Sequence, residues 1–388
     1  MARVPEQAPS LLLVVEQLRR RVPGGIGVYT RGLLDGLARC TAEGDGIDVT
    51  LLASRPAVPL VGTARSVGDP LARFGRPVLS SRLPGPLLTR AWDHGLVHAP
   101  GGFDIVHAMS LAAPRLRRSS RSALVITVHD VAWRRHPEAT TPRGVRWHEA
   151  ALMRVRDSAA SVVVPSRLVA ADVGSIGVDA SRITVVAGGA DHLPAPDPGA
   201  TDALLARVGV RGEFLLTVGT LEPRKNVDRL VEAYAQVRPS LPRPWPLVVV
   251  GPDGWGPEPT RPPETGGVVF TGAVPDAVLA ALYDRARAFA YVPLTEGYGL
   301  PPLEAMRAGT PTVVSGEVPS VHDLGAPEPA PAIIVDPLDV NDIASGLAAV
   351  LTDEGLRTEL SVRGTRHVLR RTWHAAARAH VALWKALR

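Results

Sequence analysis

Residues 214–234 read FLLTVGTLEPRKNVDRLVEAY. The stretch opens on an unbroken apolar and β-branched run, Phe214 to Val218. A continuous run, rather than an alternating one, suits a strand buried on both faces of a parallel sheet. Gly219 frees a turn. Val227, Leu230, Val231 and Tyr234 then fall at helical spacing. Strand, turn and helix in that order make half of a βαβ unit, and the same order recurs along the whole chain.

Working towards the N-terminus, similar runs occur at Leu11–Val15, Val49–Ala53, Ile105–His107, Leu124–Val128, Ser161–Val164 and Ile183–Val186. Towards the C-terminus they occur at Leu247–Val250, Val268–Thr271, Ala288–Val292, Thr312–Val314 and Ala332–Val335. Helical spacing returns between them, as at Val278, Leu279, Leu282 and Tyr283. The series breaks once, at Leu193-Pro194-Ala195-Pro196-Asp197-Pro198-Gly199, which reads as neither strand nor helix. The expected fold class is therefore α/β, with two Rossmann-like doubly wound parallel-sheet domains. They are expected at 1–192 and 213–371, joined by a linker at 193–212. Ligands of open α/β sheets lie beyond the carboxyl ends of the strands. Two such domains are accordingly expected to face each other across a cleft.

Composition narrows the class. With 388 residues, 45% hydrophobic and 21% charged, the chain can bury a substantial core. Its longest apolar runs fall far short of the roughly 18–20 residues that span a bilayer. Leu11–Val15 runs straight into Glu16 without a small-residue cleavage site, so no secretory signal is expected. Cys40 is the only cysteine, which excludes an internal disulfide framework and a cysteine zinc site. A reduced, cytoplasmic protein is expected. Of the 37 prolines, seven fall from Arg55 to Pro100, a stretch where no pattern is legible.

Charge is uneven. Residues 1–192 carry 24 basic against 16 acidic side chains, +8, and the remainder 19 against 22, −3. A basic half suits an anionic partner or a solvated arginine-rich surface. No zinc finger or aromatic RNA-binding motif points to nucleic acid. Arg146, Trp147, Arg154 and Arg156, within the helical pattern Arg143–Asp157, form a basic segment. Such a segment suits peripheral contact with anionic lipid at the inner face of a membrane, or simply solvent. Only two lysines occur, Lys225 and Lys385.

Four segments can carry chemistry. Gly25, Ile26 and Gly27 open a helix after the first strand, where amides can meet an anion; a tight turn fits as well. His129 stands at the end of a strand run, suited to a sugar hydroxyl, to acid–base work, or to a structural bond. Arg224 and Lys225 follow Gly219 and suit a diphosphate or a solvated loop, while Asn226 is placed to cap the next helix. Glu296-Gly297-Tyr298-Gly299-Leu300-Pro301-Pro302-Leu303-Glu304 is the strongest. Its prolines suit a first helical turn, its glycines a flat approach of backbone to ligand, and its carboxylates hydroxyl groups. No Asp-x-Asp triplet and no metal-ligand spacing occurs, so no metal and no other cofactor is expected.

Taken in order, the Gly-Gly-Ile-Gly segment, the His-Asp strand end, Pro-Arg-Lys-Asn and Glu-x7-Glu resemble the retaining GT-B glycosyltransferases of family 4. The resemblance covers most of the chain, and 372–388 looks like that family's final helix crossing back to the first domain. It implies a hexosyltransferase in which 1–192 receives the acceptor and 213–371 holds a nucleotide-sugar donor. Gly25, Ile26, Gly27, Gly219, Arg224 and Lys225 would hold the diphosphate with the amides around Gly297, Tyr298, Gly299 and Leu300. Glu304 would bind the ribose, Gly272 to Val274 would border the base, and Glu296 and His129 would address the sugar. It further implies retention of configuration without a metal, with departure of the nucleoside diphosphate on the face that the acceptor attacks. The sugar would be a hexose or deoxyhexose, mannose-like favoured, and the acceptor a glycan, a lipid-linked sugar or a metabolite. The segment Gly316–Asp323 departs from the family pattern, and Glu317, His322 and Asp323 receive no role. A same-fold epimerase or phosphorylase, or a nucleotide-sugar binding protein without turnover, are the competing readings.

Overall fold

The computed structural model describes residues 8–56, 69–256, 266–322 and 329–388. Seven strands form a first sheet: β1 (Ser10–Val14), β2 (Asp48–Ala53), β3 (Val78–Ser80), β4 (Ile105–Ala108), β5 (Ala123–Thr127), β6 (Ser161–Val164) and β7 (Ile183–Val185). Six form a second: β8 (Leu215–Val218), β9 (Leu247–Val250), β10 (Val268–Gly272), β11 (Ala288–Tyr291), β12 (Thr312–Ser315) and β13 (Ile333–Val335). Every pairing is parallel. The orders are β3-β2-β1-β4-β5-β6-β7 and β10-β9-β8-β11-β12-β13. Both are Rossmann-like, with strand order reversing between β1 and β4 and between β8 and β11.

The chain divides into two compact units, the first comprising 1–131, 143–189 and 373–388 and the second 132–142 and 190–372. β3 and the helix Gly85–Asp93 lie in the proline-rich stretch that showed no pattern. β3 has only three residues at a sheet edge, and two of them are exposed, so no buried run announces it. The expected linker needs a correction. Pro198–Arg207 is a helix: Pro198 takes the first position, where its missing N–H is harmless, and the Asp197 carboxylate accepts from the Ala200 amide. Thr201, Leu204 and Leu205 are buried, and the helix packs on the helix Asp276–Arg285 within the second unit.

In the first unit the last helix, Trp373–Ala386, lies against the helix Gly24–Ala42. Gly32 and Gly36 permit the approach. A Cβ on Gly32 would stand 2.2 Å from the Trp373 indole, and one on Gly36 would stand 2.3 Å from the Trp373 carbonyl oxygen. The helix also completes a buried aromatic cluster. The Trp384 indole N–H donates to His107 Nδ1 at 3.1 Å, and His107 Nε2 meets Thr127 Oγ1 at 2.9 Å. His380 Nδ1 donates to the Ala376 carbonyl, while its buried Nε2 has no partner.

These rings are held neutral. Burial drives His107 well below the ordinary histidine range and His380 to about 4. In the second unit, burial followed by the charge of Arg371 takes His367 to about 4. A depressed folded-state pKa gives stability that is complete above about 6.5 and is lost as pH falls towards the folded value. At pH 5 His380 and His367 each remove on the order of 2 kcal/mol of the stability present at neutral pH. The thermal midpoint is expected to fall between pH 7 and pH 5, and His380→Leu to flatten part of that slope. Calorimetry showing the same slope in both proteins would contradict this.

Candidate functional site

In an open α/β sheet the crevice lies where strand order reverses, beyond the carboxyl ends of the two strands involved. In the second unit those strands are β8 and β11. β8 leads into Gly219–Asn226, and β11 into Pro293–Gly299. Their loops are tied by a backbone bond from the Leu294 amide to the Arg224 carbonyl, 2.9 Å. Pro223–Lys225 forms a single 3-10 turn, which sets Arg224 and Lys225 side by side facing Glu296.

One oxygen gathers the cluster. Glu296 Oε2 accepts from Lys225 Nζ at 2.6 Å, from the Tyr291 hydroxyl at 2.6 Å and from Arg224 Nη1 at 3.2 Å. Lys225 Nζ also donates to Tyr291 Oη at 2.7 Å. Arg224 Nη2 pairs with Glu222 at 2.7 Å, and the Trp255 indole N–H holds that carboxylate's other oxygen at 3.1 Å. Burial alone would raise the Glu296 carboxyl; Lys225 and then Arg224 overcome it and hold the group at about 2. Burial and the neighbouring Arg224 pull Lys225 below the usual lysine range, while Glu296 and Glu222 oppose them. The Glu296 carboxyl is ionised at neutral pH. Burial, then the Glu296 carboxylate, pushes the Tyr291 phenol far up, so it serves as a hydrogen donor.

Asn226 has a different job from the cap expected of it. It sits at the cap position but makes no side-chain cap bond. Its φ is 58°, the only positive value at a non-glycine position among the described residues. Its amide reaches inward to the carbonyls of Val292 (2.9 Å) and Pro337 (2.8 Å). That stitches the loop after β8 to the end of β11. Asparagine tolerates the left-handed region and supplies both donors, which explains its place beside the two cations.

Gly299 also proves to be structural. Its φ of 95° caps the helix Leu300–Arg307, and a Cβ there would stand 2.5 Å from Val318 Cγ1. Ser320 holds the turn from beneath: its amide donates to the Tyr298 carbonyl at 2.8 Å and its hydroxyl to the Gly299 carbonyl at 2.7 Å. The segment after β12 that departs from the expected family pattern thus supports the glycine turn. Of its residues left without a role, Asp323 lies outside the described residues. Leu300 follows the cap, and Pro301 and Pro302 occupy the first turn.

Glu304 is on the same helix, 6% exposed. Its Oε2 accepts from the Tyr283 hydroxyl at 2.8 Å, and its Oε1 lies 3.2 Å from His192 Nε2. Gly219 lies under the Lys225 side chain, 3.8 Å from a Cβ built on it. Gly272, with φ 71°, ends β10 and Val274 follows it, and a Cβ on Gly272 would meet open space. Tyr283, Tyr291, Glu222, His192 and Ser320 were not singled out in the sequence. Each lies in an ordinary helix, strand or loop pattern, and only contacts with distant segments mark them.

In the first unit Gly25, Ile26 and Gly27 form the first turn of the helix Gly24–Ala42. A Cβ on Gly25 would meet nothing, whereas one on Gly27 would strike Pro23 at 2.3 Å. His129 follows β5; its Nε2 donates to the Met109 carbonyl at 2.9 Å, and its ring packs edge-on to Tyr29. Burial outweighs that carbonyl and Asp130 and lowers its pKa, favouring neutral imidazole. With Nε2 donating, Nδ1 is the acceptor, so the ring is set to receive a hydroxyl proton rather than to give one. The basic segment is also altered by its fold. Trp147 and Arg154 turn to Asp93 (2.7 and 2.6 Å), which removes two of its four residues from the surface face. Among the described residues no helix is long and apolar enough to cross a membrane, and no three His, Cys, Asp or Glu side chains gather as metal ligands.

The family described as glycosyl transferases group 1 matches residues 209–367, and that described as glycosyltransferase family 4 matches residues 23–192. The O-antigen chain mannosyltransferase B of Escherichia coli is 30% identical over 296 residues, covering 73% of this chain and 74% of that protein. The D-inositol 3-phosphate glycosyltransferase of Salinispora arenicola is 29% identical over 394 residues, covering 90% and 84%. The Anabaena protein HepE, solved with UDP and glucose, has a TM-score of 0.69 and 17% identity, covering 97% of this chain and 100% of that one; this likeness is one of fold. Two family matches in tandem and a 30% identical relative over most of both lengths establish that the chain belongs to glycosyltransferase family 4, and it is a glycosyltransferase with the two Rossmann-like units of the GT-B fold.

Proposed function

We propose that the enzyme moves a hexose, mannose foremost, from a nucleoside-diphosphate sugar to a hydroxyl of a glycan, lipid-linked or small-molecule acceptor, with retention and without a metal. The observation that carries this reading is the cluster of Arg224, Lys225, Tyr291 and Glu296 at the strand-order reversal of the second unit. The name of the Escherichia coli relative supports mannose.

Negative charge grows on the diphosphate as the bond to the sugar breaks, so donors fixed in advance near the leaving oxygens lower the barrier most. Arg224 and Lys225 are such donors. Glu296 holds them in place and Tyr291 braces both partners, so little reorganisation is left for the moment of reaction. Lys225 spends two of its three N–H donors on Glu296 and Tyr291, leaving one for a phosphate oxygen. The start of the helix Leu300–Arg307 adds its dipole. Two fixed cations perform the task that a divalent ion performs elsewhere, which is the ground for metal independence. In this reading Glu304 holds the ribose, Gly272 and Val274 border the base, and Glu296 touches the donor sugar.

Lys225→Ala is expected to lower transfer on the order of 10²–10³-fold, the range seen when an oxyanion donor is removed. It should still fold, because Arg224 and Tyr291 continue to pair Glu296. Transfer within threefold of the parent would remove Lys225 from the chemistry. Transfer from GDP-mannose should proceed in EDTA within twofold of the untreated rate. A loss restored by magnesium or manganese would end metal independence. Release of nucleoside diphosphate that does not depend on an acceptor, or epimerised donor among the products, would favour the same-fold alternatives.

A further inference from the structure

Glu304 is fastened from two directions by residues that the proposed function does not use. Tyr283 lies on the helix Asp276–Arg285, and its hydroxyl donates to Glu304 Oε2 at 2.8 Å. The ring is fully buried, edge-to-face with Phe289 at 5.5 Å, and the Thr310 hydroxyl fixes the same residue's carbonyl at 2.7 Å. Burial first, then the Glu304 carboxylate, raises the Tyr283 phenol far above its ordinary range. A phenol that keeps its proton donates to a carboxylate that can only accept, so the direction of this bond is settled. On the other side His192 Nε2 stands 3.2 Å from Oε1. With its side chain 10% exposed, His192 is the more open of the two partners.

We infer that Tyr283 is a positioning residue for nucleotide recognition: it commits Glu304 Oε2 to an internal bond and turns Oε1, the oxygen now shared with His192, towards a ribose hydroxyl of the donor. This rests on the proposed reading of Glu304 as the ribose partner, and it makes the substrate class a ribonucleoside diphosphate sugar. Discrimination against a deoxyribose donor then depends on a residue that never touches the nucleotide. A carboxylate free to rotate would still attract hydroxyl groups, but it would lose the fixed aim that separates a donor with the hydroxyl from one without it.

The test is titration of the full-length protein with GDP and with 2′-deoxy- and 3′-deoxy-GDP, together with steady-state kinetics on GDP-mannose. The parent should prefer GDP over at least one deoxy form by tenfold or more. Tyr283→Phe should cut that preference to threefold or less and raise the donor KM about tenfold while kcat stays within threefold. A lower melting temperature with preference and KM unchanged would make Tyr283 purely structural and overturn the inference. Removing the hydroxyl leaves a buried carboxylate oxygen short of a donor, so Glu304→Gln and the double variant Tyr283→Phe/Glu304→Gln form a second arm. If Tyr283 acts through Glu304, the added Tyr283→Phe changes the preference by less than twofold in the Gln background. A full, additive loss there would contradict the inference. A parent protein that binds none of the three nucleotides, nor their uridine counterparts, would instead defeat the reading of the site as a nucleotide site.

Discussion

A single carboxylate oxygen, Glu296 Oε2, organises the second unit of this glycosyltransferase. Two cations and a phenol converge on it from the loop after β8 and from β11 itself. Each group would be unstable where it stands if it were alone. Burial would protonate the carboxylate, and Arg224 and Lys225 would repel each other. Together they offset one another, with Glu222 balancing Arg224 on its far side. Buried ion pairs contribute little to net stability because desolvation offsets their attraction. What this one supplies is position, since four side chains are held in one arrangement by bonds of 2.6–3.2 Å.

The cluster stays in place because the backbone around it cannot shift. Asn226 ties its loop to Val292 and Pro337, and the Leu294 amide closes the same two loops. A Cβ on Gly251 would stand 1.9 Å from the Gly219 carbonyl oxygen, so the loops after β8 and β9 meet in a contact that only glycine allows. Ser320 and Val318 support the turn at Gly299, and His367 Nε2 in turn bonds the Ser320 carbonyl. Charge, loop and helix start are thus parts of one packed assembly. This is the kind of rigidity that electrostatic stabilisation of a leaving group requires.

Twelve of the thirteen parallel strands were legible because each lies along a continuous apolar run, and all twelve runs read from the sequence overlap a strand. β3 escaped because an exposed edge strand of three residues carries no hydrophobic signature. The helix Pro198–Arg207 escaped because prolines read as breakers unless the first-turn position is recognised. Arg224, Lys225, Glu296 and Glu304 stood out by type and spacing, and the fold brings the first three together. Their supports were not visible. Tyr291 and Tyr283 look like ordinary residues of a strand and a helix. His192 looks like the last residue before a linker. Asn226 was seen as a cap because local sequence cannot show that its amide reaches residues 66 and 111 positions away.

The central claim is that the charges gathered at Glu296 hold the leaving diphosphate of the donor. A crystal structure with a bound nucleoside diphosphate tests it most directly. The account predicts phosphate oxygens within hydrogen-bond distance of Lys225 Nζ and the Arg224 guanidinium, with the ribose on Glu304. A nucleotide well ordered elsewhere, while Lys225 and Arg224 keep only their contacts to Glu296 and Glu222, would contradict it.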